Sequence, residues 1–167
     1  MDVFGLRSTE LDALYDWDEN GLEVCVENVL GLSENYKCKY YCDLVKTNEA
    51  KTLFTYTDDF YKGMAALTCN EYGKGKAYYV ATDAEKSFFN DLYKSIVKEA
   101  KIPVVMENVP DGVEVTTRSG EMADYIFIQN FARNNVTIEI PEGCEVLYGT
   151  LDKEMIPLET KVLKWKR

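Results

Sequence analysis

The sequence predicts an α/β part over residues 1–102 followed by a small all-β antiparallel sandwich over residues 103–167. Three observations carry this division. Phe88, Phe89, Leu92, Tyr93, Ile96 and Val97 recur at the spacing of one helical face, with Lys86, Asp91, Lys94, Lys98 and Glu99 on the other. Pro103 stops that helix. Beyond it the apolar period changes to two and stays there, punctuated at short intervals by turn residues.

In chain order, Thr9–Tyr15 reads as a short helix with Leu11, Leu14 and Tyr15 on one side. Asp18–Gly21 reads as a turn. Leu22, Val24 and Val26 then alternate with Glu23, Cys25 and Glu27, a strand with one wet face. A less regular stretch follows, and after it come three strand candidates: Thr52–Thr57, Ala65–Asn70 and Lys76–Thr82. The tip Gly73-Lys74-Gly75 joins the last two as a hairpin. Thr82-Asp83-Ala84-Glu85 offers a capping box to the helix that follows. In the second part, Val113–Arg118, Tyr125–Phe131, Val136–Ile140, Glu145–Tyr148 and Ile156–Trp165 are strands. Asp111-Gly112, Ser119-Gly120, Asn134-Asn135 and Glu142-Gly143 are their turns.

Composition removes several functions. The 167 residues include 19 basic and 29 acidic side chains and no histidine. Nucleophile systems that need an imidazole, and histidine-ligated zinc or iron sites, cannot be built from this chain alone. The net charge of -10 argues against nucleic acid and anionic membrane as partners, because both are held through Lys and Arg. The basic cluster Lys164, Lys166, Arg167 reads as a solvated tail. Residues 1–36 hold nine acidic residues against one basic, so most of the negative charge sits at one end. Five cysteines, Cys25, Cys38, Cys42, Cys69 and Cys144, are an odd number without a CxxC pair, and read as reduced thiols. Cys38 and Cys42 would share a face only on a helix, which their tyrosine-rich context disfavours. With no apolar run near 18 residues and no leader pattern, the expected location is the cytoplasm. The sequon at Asn135 then carries no glycan.

Four motifs raise chemical candidates. Asp16 to Glu27 fits the calcium-loop string D-x-[DN]-x-[DN]-G-x5-E, but Glu23 and Val24 occupy the eighth and ninth positions and the segment after Gly21 alternates as a strand. An acidic hairpin turn is the better reading. Gly73–Lys76 lacks P-loop spacing and precedes a strand, so no nucleotide site is assigned. Asn48-Glu49 and Asn70-Glu71 supply the dipeptide often found at a glycosidase acid, and Asp58-Asp59 a paired acid. All three read as turn residues, because a chain this short cannot form the barrel that would present them. No catalytic, cofactor or metal residue is assigned.

The run Ala50–Thr82, above all Phe60-Tyr61-Lys62-Gly63 and Tyr72-Gly73-Lys74-Gly75-Lys76-Ala77-Tyr78-Tyr79-Val80, resembles the middle domain of glycoside hydrolase family 42 β-galactosidases. The likeness extends upstream to Phe4-Gly5-Leu6 and Glu10–Tyr15. Downstream it continues through the helix at 85–100, Val109–Arg118, Tyr125–Phe131 and the strand at 158–165. The resemblance implies that residues 1–102 are part of a flavodoxin-like trimerisation domain and 103–167 a C-terminal β domain. It further implies that the catalytic barrel, with its two glutamates and any zinc-binding cysteines, is absent. The expected role is non-catalytic assembly within an enzyme that hydrolyses terminal β-galactosides. The expected partner is a second copy or the missing barrel, through an edge at 52–57 or 76–82 unless residues 1–20 cover it. The alternative is a free-standing carbohydrate-binding or protein-interaction module, suggested by Trp17, Trp165 and twelve tyrosines.

Overall fold

The computed structural model describes residues 3–25, 29–33 and 35–166. The chain divides into two compact units, Met1–Ile102 and Pro103–Arg167.

The first unit holds strands β1 (Leu6–Ala13), β2 (Asn20–Val24), β3 (Asn35–Thr47), β4 (Lys51–Tyr56), β5 (Ala65–Tyr72), β6 (Gly75–Val80) and β7 (Thr82–Ala84), then helix α1 (Lys86–Glu99). Every strand pair described is antiparallel. This differs from the partial flavodoxin-like α/β domain expected, whose strands would run parallel with helices as crossovers. Among the described residues there is one helix, and short connections such as Gly73-Lys74 can join only antiparallel neighbours. The segment read as a helix at Thr9–Tyr15 is instead strand as far as Ala13: Leu6 to Ala13 pair with Thr47 to Tyr41, with a register irregularity between Ser8 and Glu10.

The sheet closes on itself. Strand β2 lies between β3 and β4, β4 pairs β5, and β5 pairs β6. The chain then changes neighbours at Ala81, whose N–H donates to Ala66 at 2.8 Å while its carbonyl accepts from Asp43 N–H at 2.7 Å. Residues 82–84 continue against β3. Closure removes most free edges. Lys51–Tyr56 is therefore interior, contrary to expectation, whereas β6 and β1 end the strand order. Residues 6–13 do not cover an edge but form one.

Strand β3 went unrecognised in the sequence because its alternation changes phase. Tyr36 and Cys38 are buried, then a register irregularity intervenes, and Cys42, Asp43, Leu44 and Val45 are buried in succession. Tyr40, at φ 69°, makes the irregularity. On a regular strand Cys38 and Cys42 would already share a face, but about 13 Å apart. The left-handed residue between them shortens the path, and the two thiols, both free, come close enough to influence each other. The expectation that only a helix could bring them to one face is corrected accordingly.

Helix α1 closes one side of the core. Phe88 is fully buried, edge-on to Tyr36 at 5.1 Å and to Phe54 at 5.9 Å. The apolar stripe is narrower than the sequence suggests, since Tyr93 is 61% exposed. The expected capping box is not formed. Glu85 is the N-cap but its carboxylate accepts from Lys37 N–H at 3.2 Å rather than capping the helix, and Thr82 lies in β7 with its hydroxyl donating to the Tyr41 carbonyl at 2.6 Å. At the β5–β6 hairpin, Gly73 takes φ 60° at the first central position, as a II′ turn demands.

The second unit contains β8 (Val113–Ser119), β9 (Ala123–Asn130), β10 (Val136–Thr137), β11 (Cys144–Tyr148), β12 (Glu154–Met155) and β13 (Thr160–Lys166). Four strands pair in the order β11-β13-β9-β8, and β10 pairs β12. Ile126, Ile128 and Leu163 from the larger sheet share one core with Val136 and Met155 from the smaller. Antiparallel all-β structure here agrees with the sequence. The buried Asn130 amide ties the two together, donating to the carbonyls of Asn134, Met155 and Ile156 at 3.2, 3.2 and 2.9 Å. Lys164 and Lys166 are strand residues rather than a solvated tail, with Lys164 opposite Tyr125 and Lys166 opposite Ala123; Arg167 lies outside the described residues.

Candidate assembly surface

The most distinctive surface of the first unit is built by two connections, residues 14–19 between β1 and β2 and residues 57–64 between β4 and β5. Leu14 N–H donates to the Tyr40 carbonyl and Asp18 N–H to the Tyr15 carbonyl, both at 2.8 Å, so the first loop is folded back on the β3 irregularity. The buried Asn20 clips the two loops together. Its side-chain oxygen accepts from Asp58 N–H at 3.0 Å and Gly21 N–H at 2.7 Å, and its amide donates to the Asp58 carbonyl at 3.1 Å.

Aromatic rings project from this framework. Tyr15 and Trp17 stack at 4.9 Å with planes 3° apart, and are 66% and 79% exposed. Phe60, 74% exposed, stands edge-on to the buried Tyr61 at 4.9 Å. Large rings left in water at loop positions are costly to a molecule with nothing to cover them. A cleft of about 230 Å³ lies between the loops, lined by Leu14, Asp18, Glu19, Asn20, Asp58 and Asp59. A second, of about 360 Å³, shares Glu19 and adds Lys37, Lys39 and Tyr40. Glu19 pairs with Lys37 at 2.7 Å and Lys39 at 3.8 Å, and the Lys37 bond holds its carboxyl below the usual range.

A hydroxyl network underlies the loops. Tyr61 donates to Asp12 at 2.9 Å, Ser8 and Tyr79 donate to Asp43 at 2.6 and 2.5 Å, and Tyr56 donates to the Ala81 carbonyl at 2.7 Å. The bond to Asp43, then burial, pushes Tyr79 up to about 12 from 10.0. Burial raises Tyr56 and Tyr61 above the ordinary value as well. Hydrogen bonding between the two free thiols lowers Cys42 to about 7, while the same contact and burial raise Cys38.

These tyrosines predict an alkaline limit with a definite sign. A phenol whose folded pKa is raised binds its proton more tightly in the folded chain, so its contribution is full below pH 10.0 and declines as pH rises toward 12. Melting temperature should fall across that window. In Tyr79→Phe the fall should be shallower, and tyrosinate absorbance should lose a component titrating near 12. Identical alkaline slopes in the two proteins would contradict the assignment.

The residues singled out in the sequence fall as follows. In the calcium-loop string, Asn20 spends its oxygen on two N–H groups, Gly21 already belongs to β2, and Glu27 lies outside the described residues. The loop is not a hairpin turn either, because β1 and β2 both pair with β3 and run the same way along it. Among the described residues no group of three or more Cys, Asp or Glu is placed to hold a metal ion. Asp58 and Asp59 accept from the next N–H along the chain, at 2.8 and 2.6 Å, and so stabilise their own turn. Asn48 and Glu49 donate their backbone N–H groups to the Gly5 carbonyl, and the Asn70 amide holds the Val3 carbonyl at 2.9 Å. Gly75–Lys76 begins β6. Trp17 belongs to the first unit and Trp165, in β13, to the second. Sequence reasoning missed the roles of Tyr15 and Phe60; the available signal was an aromatic residue beside acidic turn residues, where no core position is expected.

Buried hydroxyls support an exposed aromatic and acidic face, a surface of the kind that meets a partner. Comparison with known proteins places it further. The protein-family model described as beta-galactosidase trimerisation domain matches residues 1–103, and that described as beta-galactosidase C-terminal domain matches residues 112–164. The chain belongs to the glycoside hydrolase family 42 β-galactosidases. Beta-galactosidase Pbg of Clostridium perfringens is 40% identical over 141 residues, covering 84% of this chain and 20% of the relative. Beta-galactosidase BglY of Alicyclobacillus acidocaldarius is 34% identical over 150 residues, covering 89% and 22%. Among solved structures, the cold-adapted β-galactosidase from Rahnella sp. R3 matches with TM-score 0.84 and 33% identity over 99% of this chain and 24% of that one. This chain thus spans about a fifth of the length of the curated relatives.

Proposed function

We propose that this chain serves as the non-catalytic assembly portion of an enzyme that hydrolyses terminal β-galactosides. Residues 1–102 act as the oligomerising part and residues 103–167 as an accessory β domain. The observation that carries the reading is the agreement of the trimerisation-domain match over residues 1–103 with an aromatic face left exposed in that same unit. No residue of this chain is assigned a catalytic, cofactor or metal role. Retaining glycosidases work with two carboxylates about 5 Å apart across a sugar, and the acidic residues weighed for that part are engaged in turns or distributed along strands. The partner is a second copy of the chain or the remainder of the longer polypeptide. Neither nucleic acid nor membrane is assigned, and among the described residues no helix is long and apolar enough to cross a bilayer.

Two measurements on the purified chain test this. Incubation with a chromogenic β-galactoside should release no chromophore above the buffer blank, and light scattering should show mass rising with concentration. Turnover that co-purifies with the chain, or a monomer at all concentrations, would refute the reading.

A further inference from the structure

We propose that copies of this chain join head to tail, the aromatic and acidic 14–19 loop of one meeting the lysine face of helix α1 of the next. The inference rests on the assembly reading above and names the two surfaces it would use. A closed ring of three needs a heterologous contact, in which each copy presents two different patches. A surface bearing only like charge cannot supply both.

The first unit has two such patches. In the 14–19 loop, Asp16 and Asp18 flank Trp17, and both carboxylates are exposed, with no ion pair among the described residues. Glu19 beside them is already neutralised by Lys37 and Lys39. The net charge here is negative around a ring that is 79% exposed. Lys94 and Lys98 occupy successive turns of α1 on one face, exposed and likewise without an ion pair among the described residues. Tyr93 adjoins them, 61% exposed and stacked on Phe89 at 6.2 Å. Of the acids on the same helix, Glu99 is occupied by Lys76 and by the Tyr78 hydroxyl at 2.5 Å, and Asp91 accepts from the Tyr36 hydroxyl at 2.8 Å. Lys94 and Lys98 lie about 12 to 18 Å along the axis from the helix start, whose N-cap Glu85 lines the cleft beside Glu19. The patches are therefore separate. Each couples an exposed aromatic ring to two unpaired charges, with opposite signs, so each supplies what the other lacks. Ring contact would provide the buried apolar area, and the charges the orientation.

Sedimentation velocity on the full chain tests the pairing. The wild-type chain should assemble, more weakly as salt rises from about 0.1 M to 1 M. Asp16→Lys/Asp18→Lys and Lys94→Glu/Lys98→Glu should each raise the dissociation constant at least about tenfold. The variant carrying all four changes should recover wild-type assembly. All four positions are exposed, and circular dichroism verifies that each variant is folded. Double variants that assemble like wild type, or a four-fold variant as dissociated as the doubles, would overturn the pairing while leaving the assembly reading in place. A wild-type chain that stays monomeric would overturn both.

Discussion

Replacing Phe88 with alanine should cost the first unit about 4 kcal/mol, the range for deleting a fully buried ring that the surroundings cannot refill. Phe88 meets Tyr36, Phe54 and Phe89 at 5.1, 5.9 and 5.4 Å, so its removal takes away the common partner of three rings held by three different elements. Tyr36 is fixed further by its hydroxyl, which accepts from Ser33 N–H at 2.9 Å and donates to Asp91 at 2.8 Å, so it cannot swing into the void. Only Phe88 and Leu92 of α1 are fully buried, and the helix should loosen with the loss. Urea unfolding followed by near-ultraviolet circular dichroism measures this. A loss below about 1 kcal/mol would mean that the site collapses freely and that α1 does not depend on Phe88.

Glu159→Ala should destabilise the second unit by about 3 kcal/mol, because it strands a buried cation. Lys161 is 0% exposed, and its ammonium bonds Glu159 at 3.1 Å and the Thr150 carbonyl and hydroxyl at 3.2 and 3.0 Å. Desolvating two charges offsets most of their attraction, so the pair is not a net source of stability; breaking one side is what costs. Glu159→Ala/Lys161→Met should therefore recover most of the loss. Acid supplies a second signature. The Ile156 N–H, then Lys161, holds the Glu159 carboxyl below 4.5, so its contribution is complete above that pH and lost as pH falls through the lowered value. Thermal melts of the three proteins between neutral and acid pH compare these. A double variant no more stable than Glu159→Ala would show that the lysine stem, not the unpaired charge, set the cost.

Much of the secondary structure was legible because burial followed a simple period. Phe88 and Leu92 share the helical stripe, Ile126 and Ile128 alternate toward the core of the second unit, and Gly73 marks a turn with positive φ. The failures have a common origin in contacts remote in sequence. Leu6–Ala13 reads poorly as a strand because most of its residues are exposed on both faces; it is a strand only because β3 offers it a ladder. Strand β3 is hidden by the phase change at Tyr40, and the capping box is lost because Thr82 finds the Tyr41 carbonyl instead. Of the candidate surface, Trp17 and the concentration of acid before residue 36 were visible. That Asn20 fastens the loop at 14–19 to the loop at 57–64, bringing Asp18 and Asp58 to one cleft, was not.

Family membership, the α1 helix, the antiparallel second part and the acidic bias of the N-terminal segment were determined by the sequence alone, since each rests on residue identity or on neighbours within a few positions. The tertiary structure decided that the first sheet is antiparallel and closed, that Tyr15, Trp17 and Phe60 stand in water on the two loops that line one cleft, and that Lys161 is buried. Each of these depends on which distant segment occupies the other side of a strand or side chain. Local periodicity reports which face of an element is buried, and only the assembled fold reports what that face meets.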